Sequence, residues 1–245
     1  MRFYYSTELM PCPYLTGRHE RRLVAFLDAE DVDSQHDRLS RAGFRRSQNM
    51  AYRPVCPGCG ACVSVRVRVR AFQPSRGFRK IMRRNVDLRA IERPLTATGE
   101  QYELFRRYLA HRHNDGEMSQ MGWNEYRAMV EHNPTRAHIV EFRQNDDLVA
   151  VCLTDRLHSG LSGVYQFFAP EQTGRSLGTY AILWHIQRTR ELNLPYFYLG
   201  YWIAESRKMA YKARFRPIEA LTAEGWKLIG DSEREAEPAP MSATC

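Results

Sequence analysis

The chain has 245 residues, of which 43% are hydrophobic and 26% are charged, a composition that excludes a fully disordered protein and a short disulfide-built scaffold. No apolar run reaches the roughly 18 residues that span a bilayer, and the first ten residues lack the apolar stretch of a secretory signal. We therefore expect a cytoplasmic protein without a membrane partner, built as one large domain or two modest ones.

The net charge of +8 is concentrated in the first part of the chain. Residues 1–93 carry 19 Lys and Arg against 9 Asp and Glu, whereas residues 94–230 are nearly balanced, with 16 against 15. We predict a small basic N-terminal module over residues 1–93, a second domain over 94–230 and a disordered acidic tail over 231–245. The positive excess indicates a polyanionic partner such as nucleic acid.

Three cysteines follow one another at two-residue gaps in Cys56-Pro-Gly-Cys59-Gly-Ala-Cys62, and Cys12 lies upstream in Pro-Cys-Pro-Tyr. Gly and Pro between the cysteines let a tight loop direct its thiolates at one point, as zinc and iron–sulfur loops do. We expect these four thiols to hold zinc or an iron–sulfur cluster, with free thiols beside a turn as the alternative. Cys152 lies in an apolar run and is expected in the core.

A strand and a helix with basic faces follow the cysteine loop. Valines alternate with polar residues over residues 63–70, which is the period of a half-buried strand with arginines on its outer face. Ser75 is the expected N-cap of the helix. Acidic residues are absent from this stretch, which favours contact with phosphates over a solvated charged face. The predicted phosphate-binding residues are Arg66, Arg68, Arg76, Arg79, Lys80, Arg83 and Arg84.

The remainder of the chain predicts a mixed sheet with helices. This order is typical of an acetyltransferase-like (GNAT) α+β fold with a mixed-sheet core, and the turn over residues 172–178 is loosely similar to the acyl-donor turn of that fold. The expected elements are helices within 94–136, an antiparallel meander at 138–143, 148–155 and 161–168, a helix after Gly178, a buried strand at 196–201, a short basic helix at 204–214 and a last strand at 218–221.

Several longer motifs occur in order over nearly the whole chain. They are Pro11-Cys-Pro-Tyr-Leu-Thr-Gly-Arg18, Tyr52-Arg-Pro with the three cysteines, Ser75-Arg-x-Phe-Arg-Lys, Arg83-Arg-Asn-x-Asp-Leu, Val164-Tyr-Gln-Phe-Phe, Ser176-Leu-Gly-Thr-Tyr, Tyr198-Leu-Gly-Tyr-Trp-Ile and Lys208-Met-x-Tyr-Lys-Ala-Arg-Phe-x-Pro217. Together these motifs resemble the aminoacyl-tRNA–protein transferases. The bacterial, leucine-transferring branch is the more similar one, because the eukaryotic arginyl branch spaces its N-terminal cysteines differently.

The resemblance implies an enzyme that moves leucine from leucyl-tRNA to the α-amine of proteins that begin with Asp or Glu, which marks them for degradation by the N-degron (N-end rule) route. It also implies a GNAT-like catalytic domain over residues 94–230, zinc or iron–sulfur on the cysteines, and no cofactor for the transfer itself. Two alternatives stay open: an acetyl-CoA-dependent N-acetyltransferase with an added basic domain, and a non-enzymatic zinc-containing RNA-binding protein.

The implied reaction needs few catalytic groups, because an aminoacyl ester is already activated and an α-amine has a pKa near ~7.7–8.0. We expect Tyr165 or Gln166 to donate to the ester carbonyl, and Gln166 or Glu205 to take the proton. Where many relatives have an aspartate, this chain reads Phe-Phe-Ala169-Pro, so a carboxylate role at that position is absent or passes to Glu171.

The implied substrates need two further kinds of contact. Tyr201 and Trp202 are expected to stack on the terminal adenosine or to line the leucine pocket, with a place in the core as the alternative. Lys208, Lys212 and Arg214 are predicted on one short helix, where they can bind the acidic side chain of the acceptor. The alternative for these three is a solvated basic helix end.

Overall fold

The computed structural model describes residues 4–28, 30–112 and 117–230, which fold as an α+β protein. The predicted acidic tail, 231–245, lies outside these residues. The helices are α1 (Val32–Arg41), α2 (Arg76–Arg84), α3 (Gly99–Arg112), α4 (Trp123–Glu131) and α5 (Leu177–Glu191), with 3-10 turns at Glu117–Gln120, Thr173–Arg175 and Ala210–Arg214.

The strands of the described residues form three sheets. They are β1 (Tyr4–Ser6), β2 (Met10–Pro11), β3 (His19–Glu20), β4 (Arg22–Phe26), β5 (Arg45–Ser47), β6 (Met50–Pro54), β7 (Val63–Arg68), β8 (Leu88–Arg93), β9 (Ala137–Gln144), β10 (Asp147–Arg156), β11 (Gly160–Phe168), β12 (Tyr196–Trp202), β13 (Ile218–Thr222) and β14 (Gly225–Leu228). The large sheet has the order β14-β13-β7-β12-β11-β10-β9-β8, the small sheet β1-β4-β6-β5, and β2 pairs with β3.

The large sheet is mixed, as the sequence predicts. Strands β9, β10 and β11 form the expected antiparallel meander, and β10 is buried along almost its whole length because it lies between the other two. Strand β12 runs parallel to β11. A parallel neighbour requires a crossover, and α5 supplies it. The α+β class and the mixed core are therefore confirmed.

Helices cover both faces of the large sheet. On β9, Glu141 accepts a hydrogen bond from Gln101 of α3, whereas the neighbouring Phe142 contacts Trp184 of α5. Adjacent residues of a strand point to opposite faces, so α3 and α5 cover opposite faces. Helix α2 packs beside α5. No helix in the described parts of the chain is long and apolar enough to cross a membrane.

Three features of the fold differ from the predictions. Residues 63–93, assigned to the N-terminal module, form β7, α2 and β8, and both strands belong to the large sheet, so a division near residue 62 fits the sheets better than one at 93. The helix predicted over 204–214 is wrong in extent, because only Ala210–Arg214 is helical. The small sheet and α1 are absent from the predictions, and the small-sheet strands, of three to five residues, give too short a pattern.

A buried ion pair fixes the small sheet to the large one. Arg46 of β5 donates to both carboxylate oxygens of Asp155 on β10, at 2.7 to 2.9 Å, and the two side chains are 0% and 1% exposed. His36 of α1 lies 3.4 Å from the same carboxylate, and burial lowers the pKa of His36. The Asp155 charge therefore depends on Arg46 for compensation.

Arg46→Met is expected to lower the free energy of unfolding by about 3–5 kcal/mol, because it leaves the Asp155 carboxylate buried without its cation. Urea unfolding measures the loss. The double variant Arg46→Met, Asp155→Leu is expected to recover part of it. Arg106→Met is the control, because Arg106 is 63% exposed and only 4.0 Å from Glu103. Equal losses for Arg46→Met and Arg106→Met would contradict this role of the ion pair.

Candidate functional site

Strands β11 and β12 begin side by side and then separate. Residues Gly160–Ser162 pair with Tyr196–Tyr198, and this is the whole of their parallel register. At the same level each strand has a bulge. Val164 of β11 has no partner in the pairing with β10, and Leu199 of β12 has no partner in the pairing with β7. Such bulges bend strands away from a neighbour. We call the resulting gap the β11/β12 opening, bounded by residues 163–166 and 199–202.

Arg45 of β5 enters this opening from the small sheet. Its Nη2 donates to the carbonyls of Gly163 and Val164, both at 2.9 Å. Gly200 lies opposite with a φ of +76°, and a Cβ there would lie 1.3 Å from Nη1 of Arg45, so this close approach requires glycine. In the described chain the polar partners of Arg45 are these two carbonyls, and no carboxylate pairs with it.

Lys212 is a second cation at the opening. Its buried Nζ donates to the carbonyl of Tyr201 at 2.7 Å. Burial lowers the pKa of Lys212 to about 7, and the nearby Arg45 charge acts in the same direction. Lys208 and Arg214 lie exposed on the surface, with the Arg214 guanidinium 5.5 Å from the Phe78 ring centre. The three predicted cations are therefore not brought together.

Tyr201 and Trp202 differ in their surroundings. The hydroxyl of Tyr201 donates to the carbonyls of Gly43 and Tyr52, at 3.1 and 2.9 Å, and its ring is buried, so this side chain joins the small sheet to β12. Trp202 is half-buried, and its indole Nε1 has no hydrogen-bond partner in the described structure. Of these two side chains, Trp202 is the one whose hydrogen-bond donor is unpaired in the described structure.

The three predicted catalytic residues also separate. Tyr165 on β11 is half-buried with its ring edge-on to Phe105, and burial raises its pKa. Gln166, on the opposite face of β11, lies beside the start of α5, since a Cβ at Gly178 would be 3.3 Å from its Nε2. Glu205 is exposed and pairs with Arg18 at 3.1 Å, next to the cysteine loop. Tyr165 and Gln166 therefore bound the opening, and Glu205 is paired elsewhere.

Helix α2 presents an exposed basic face. It begins at the predicted N-cap Ser75, whose Oγ accepts from the Phe78 backbone, and it has no acidic residue in its first turn. Arg84 donates to the carbonyl of Gly174, so α2 lies beside the turn before α5, where the positive end of that helix adds to the field. The exposed predicted residues are Arg68, Arg76, Arg79, Lys80, Arg83 and Arg84.

The expectation that Arg66 lies on an outer face is wrong. Its Nε is 2.8 Å from a carboxylate oxygen of Glu219, its Nη1 donates to the Tyr198 hydroxyl at 3.2 Å, and its guanidinium lies 3.5 Å from the Tyr196 ring centre. Strand β7 has neighbours on both sides, β13 and β12, and the chain covers both of its faces. Arg66 is therefore a buried structural cation and is withdrawn from the phosphate-binding set.

The four N-terminal cysteines lie in one region. Burial raises the pKa of Cys62 to about 12, and the neighbouring Cys12, Cys56 and Cys59 act in the same direction. Arg18 donates to the Cys59 sulfur at 3.4 Å. Among the described residues no three His, Cys, Asp or Glu side chains converge on one point as they stand. The thiols fit zinc or a cluster by type and neighbourhood, and binding would require them to move together.

Cys152 and one open cavity lie apart from the β11/β12 opening. Cys152 is buried on β10, as predicted, and burial raises its pKa. The cavity, of about 490 Å³, lies near the cysteine loop, on the side of Tyr201 that also contacts Gly43, Arg53 and Leu221. It contains neither Arg45 nor Lys212 and is distinct from the β11/β12 opening.

Sequence reasoning missed Arg45 at the β11/β12 opening and the contacts of Arg18 beside the cysteine loop. Arg45 belongs to no motif and reaches Gly163 across 118 positions of sequence, so no local pattern indicates it. Arg18 ends the first motif, but its contacts with Cys59 and Glu205 join distant segments. The one available signal was Gly200 inside the strand motif Tyr198-Leu-Gly-Tyr, since a glycine within a strand often marks a bulge or a close approach.

Family models match both parts of the chain. The model for the C terminus of arginine-tRNA-protein transferase matches residues 100–222, and the model for the N terminus of the same family matches residues 10–80. Together they cover the cysteine loop, β7, the first part of α2 and the β11/β12 opening. The two matches follow the order in which the motifs occur along the sequence.

Curated relatives match over nearly the whole chain. "Aspartate/glutamate leucyltransferase" of Parvibaculum lavamentivorans is 54% identical over 91% of this chain and 93% of the relative. The proteins of the same name from Paramagnetospirillum magneticum and Granulibacter bethesdensis are both 50% identical, over 92% and 96% of this chain and 93% and 88% of the relatives.

Solved structures are more distant. The structure of L-PGS from Bacillus licheniformis has a TM-score of 0.47 at 14% identity, covering 73% of this chain and 52% of that one. Family membership therefore rests on the sequence matches, which are long, ordered and specific. The chain belongs to the arginine-tRNA-protein transferase family.

Proposed function

We propose that this protein transfers leucine from leucyl-tRNA to the α-amine of proteins that begin with Asp or Glu. The observation that carries the proposal is the identity of 50 to 54%, over more than nine-tenths of the chain, with relatives named aspartate/glutamate leucyltransferase. The new N-terminal leucine then marks the product for degradation by the N-degron route. Because charged tRNA is found in the cytoplasm, we place the reaction there.

The reaction is an aminolysis. The neutral α-amine attacks the ester carbonyl of leucyl-tRNA, a C–N bond forms, the C–O bond to the terminal ribose breaks, and the amine proton passes to the ribose oxygen directly or through water. The amine has an ordinary pKa near ~7.7–8.0, so a useful fraction is neutral at physiological pH. Holding the two groups in register supplies about 7–11 kcal/mol in well-oriented systems.

The β11/β12 opening supports this chemistry within an acetyltransferase-like fold. Parted parallel strands expose backbone groups in the middle of a sheet, where a substrate can lie against them. Gln166 lies on one wall, and Trp202 on the other carries a buried indole N–H without a partner in the described structure. Both can donate to the oxygen of the tetrahedral intermediate. No protein nucleophile and no cofactor are needed for the transfer.

A protein carboxylate is a poor candidate for the general base. Ala169, which replaces the aspartate of many relatives, is 2% exposed and its backbone N–H donates to Val149 at 2.9 Å. The next residue but one, Glu171, is exposed and pairs with Arg107 at 3.1 Å. We therefore propose that the proton leaves through water or the ribose oxygen, and we assign no base to the protein.

The tRNA is proposed to lie across α2 and the start of α5. The exposed arginines of α2 have no acidic residue among them, and Arg84 joins this helix to the turn before α5. A row of cations beside a positive helix end is suited to a phosphate backbone that leads into the β11/β12 opening. Arg66 takes no part in this surface, because Glu219 neutralises it.

The cysteines are proposed to hold a structural zinc ion or an iron–sulfur cluster through Cys12, Cys56, Cys59 and Cys62. The bound group would tie the loop at residues 56–62 to the first motif near Arg18. It takes no part in leucine transfer. Metal and sulfide analysis of protein purified without oxygen tests this proposal, and protein that contains neither would exclude it.

Two other functions make different predictions. An acetyl-CoA-dependent acetyltransferase does not require the exposed basic face of α2, which we call the α2 surface. An RNA-binding zinc protein does not require the β11/β12 opening. The test supplies purified protein with leucyl-tRNA or acetyl-CoA and with peptides that differ only in an initial Asp, Glu or Ala. We expect leucine on the Asp and Glu peptides alone and no acetyl product. Acetyl transfer, or no transfer at all, would contradict the proposal.

The α2 surface is tested by the triple variant Arg76→Gln, Lys80→Gln, Arg83→Gln. These side chains share one helical face, are exposed, and have no hydrogen-bonded partner in the described structure. We expect weaker tRNA binding and a salt dependence whose slope falls by about 0.7–0.9 for each phosphate that is no longer neutralised. Binding is measured at several salt concentrations by filter retention.

The control for this variant is Arg106→Gln, Arg127→Gln, Lys227→Gln, which removes three exposed positive charges outside the α2 surface. It is expected to leave the salt slope nearly unchanged. Equal changes in the two triple variants would show that only net charge matters, and would exclude α2 as the docking surface.

A further inference from the structure

Arg45 is a cation without an anion among the described residues, and it lies at the centre of the site. Both of its hydrogen bonds use Nη2 and end on the uncharged carbonyls of Gly163 and Val164. A guanidinium has five N–H groups, so Nη1 and Nε keep donors for a further partner. The other arginine at this junction, Arg46, is fully neutralised by Asp155. Of these two neighbouring arginines, Arg45 is the one whose charge has no carboxylate partner among the described residues.

A second cation faces the same space. Lys212 Nζ donates to the carbonyl of Tyr201, its one hydrogen-bond acceptor in the described chain, and Tyr201 follows Gly200, against which Nη1 of Arg45 packs. Two neighbouring cations without a carboxylate repel each other across a poorly solvated region. An anionic group that enters between them relieves this repulsion and gains a charge-assisted hydrogen bond from each.

Arg45 lies where it can contact the N-terminal residue of the acceptor protein. Arg45 contacts β11 at Gly163 and Val164, and Gly200 of β12 lies against its Nη1, so the guanidinium lies between the two strands that bound the opening. The side-chain carboxylate carbon of an acceptor is three bonds from its α-amine in Asp and four in Glu, so an acceptor whose amine enters the opening brings its carboxylate into the same gap. Lys208 and Arg214, which the sequence also suggested, are exposed.

We propose that Arg45, assisted by Lys212, binds the side-chain carboxylate of the acceptor's N-terminal Asp or Glu and so determines which proteins receive leucine. This inference rests on the proposed function. It assigns substrate selection to a residue of the small sheet, although the reaction takes place in the large one. It also gives the docking of the two sheets a role in specificity, because Arg45 reaches the opening only when they are joined.

The test is Arg45→Gln, which removes the charge and keeps a shorter, polar amide side chain. The measurement is the ratio of kcat/KM for a peptide beginning with Asp to that for the same peptide beginning with Asn. This ratio is independent of the fraction of enzyme that is folded. We expect it to fall about 10- to 100-fold, the range of a hydrogen bond to a charged group. Arg45→Lys is expected to retain more of it.

Arg53→Met is the matched control. Arg53 lies on β6 of the same small sheet, is half-buried like Arg45, and likewise donates to a backbone carbonyl, that of Ala42 at 3.3 Å, with no carboxylate partner in the described chain. It lies outside the β11/β12 opening. We expect the ratio of Asp to Asn peptides to be unchanged in this variant.

The outcomes separate this inference from the proposed function. Wild-type protein that does not transfer leucine to the Asp peptide would overturn the proposed function itself. Wild-type transfer with an unchanged Asp-to-Asn ratio in Arg45→Gln would overturn the assignment of Arg45 alone. An equal loss on both peptides would place Arg45 on the tRNA side or in the fold, and would also overturn the assignment.

Discussion

The parting of β11 from β12 is the constraint on which the rest of the structure depends. Once the two strands separate beyond Ser162 and Tyr198, backbone carbonyls in the middle of the sheet lose their partners, and buried carbonyls must be satisfied. Arg45 from the small sheet and Lys212 from the C-terminal part supply the donors. A site is thereby built from three distant parts of the chain, with more positive charge than its own residues neutralise.

In this arrangement the small sheet positions a cation at the β11/β12 opening. Arg46 fixes the small sheet through Asp155, and the Tyr201 hydroxyl holds it to β12. The adjacent Arg45 then reaches the opening with the precision of a strand residue. The two sheets are joined closely: β7 pairs within the large sheet, α2 packs beside α5, and Arg45 of the small sheet reaches the β11/β12 opening.

Local pattern predicted the elements that are long and periodic. The meander β9 to β11, α5, β12 and the N-cap of α2 follow from alternation, helical spacing and capping chemistry, each of which acts over a few residues. What could not be predicted depends on distant partners. The alternation in β7 predicts an exposed Arg66. Its contact with Glu219, 153 positions later in the chain, shows that it is buried. Arg45 carries no signal of its own, and only Gly200 hinted at a close approach.

The measurement that tests the central claim most directly is a crystal structure with a leucyl-adenosine analogue, linked by a non-hydrolysable amide, and a peptide beginning with Asp. We predict the leucyl carbonyl within the β11/β12 opening, beside Gln166, and the aspartate carboxylate on the Arg45 guanidinium. Ligand bound instead in the cavity lined by Arg53, Cys62 and Leu221, with Arg45 still bonded only to Gly163 and Val164, would contradict this placement.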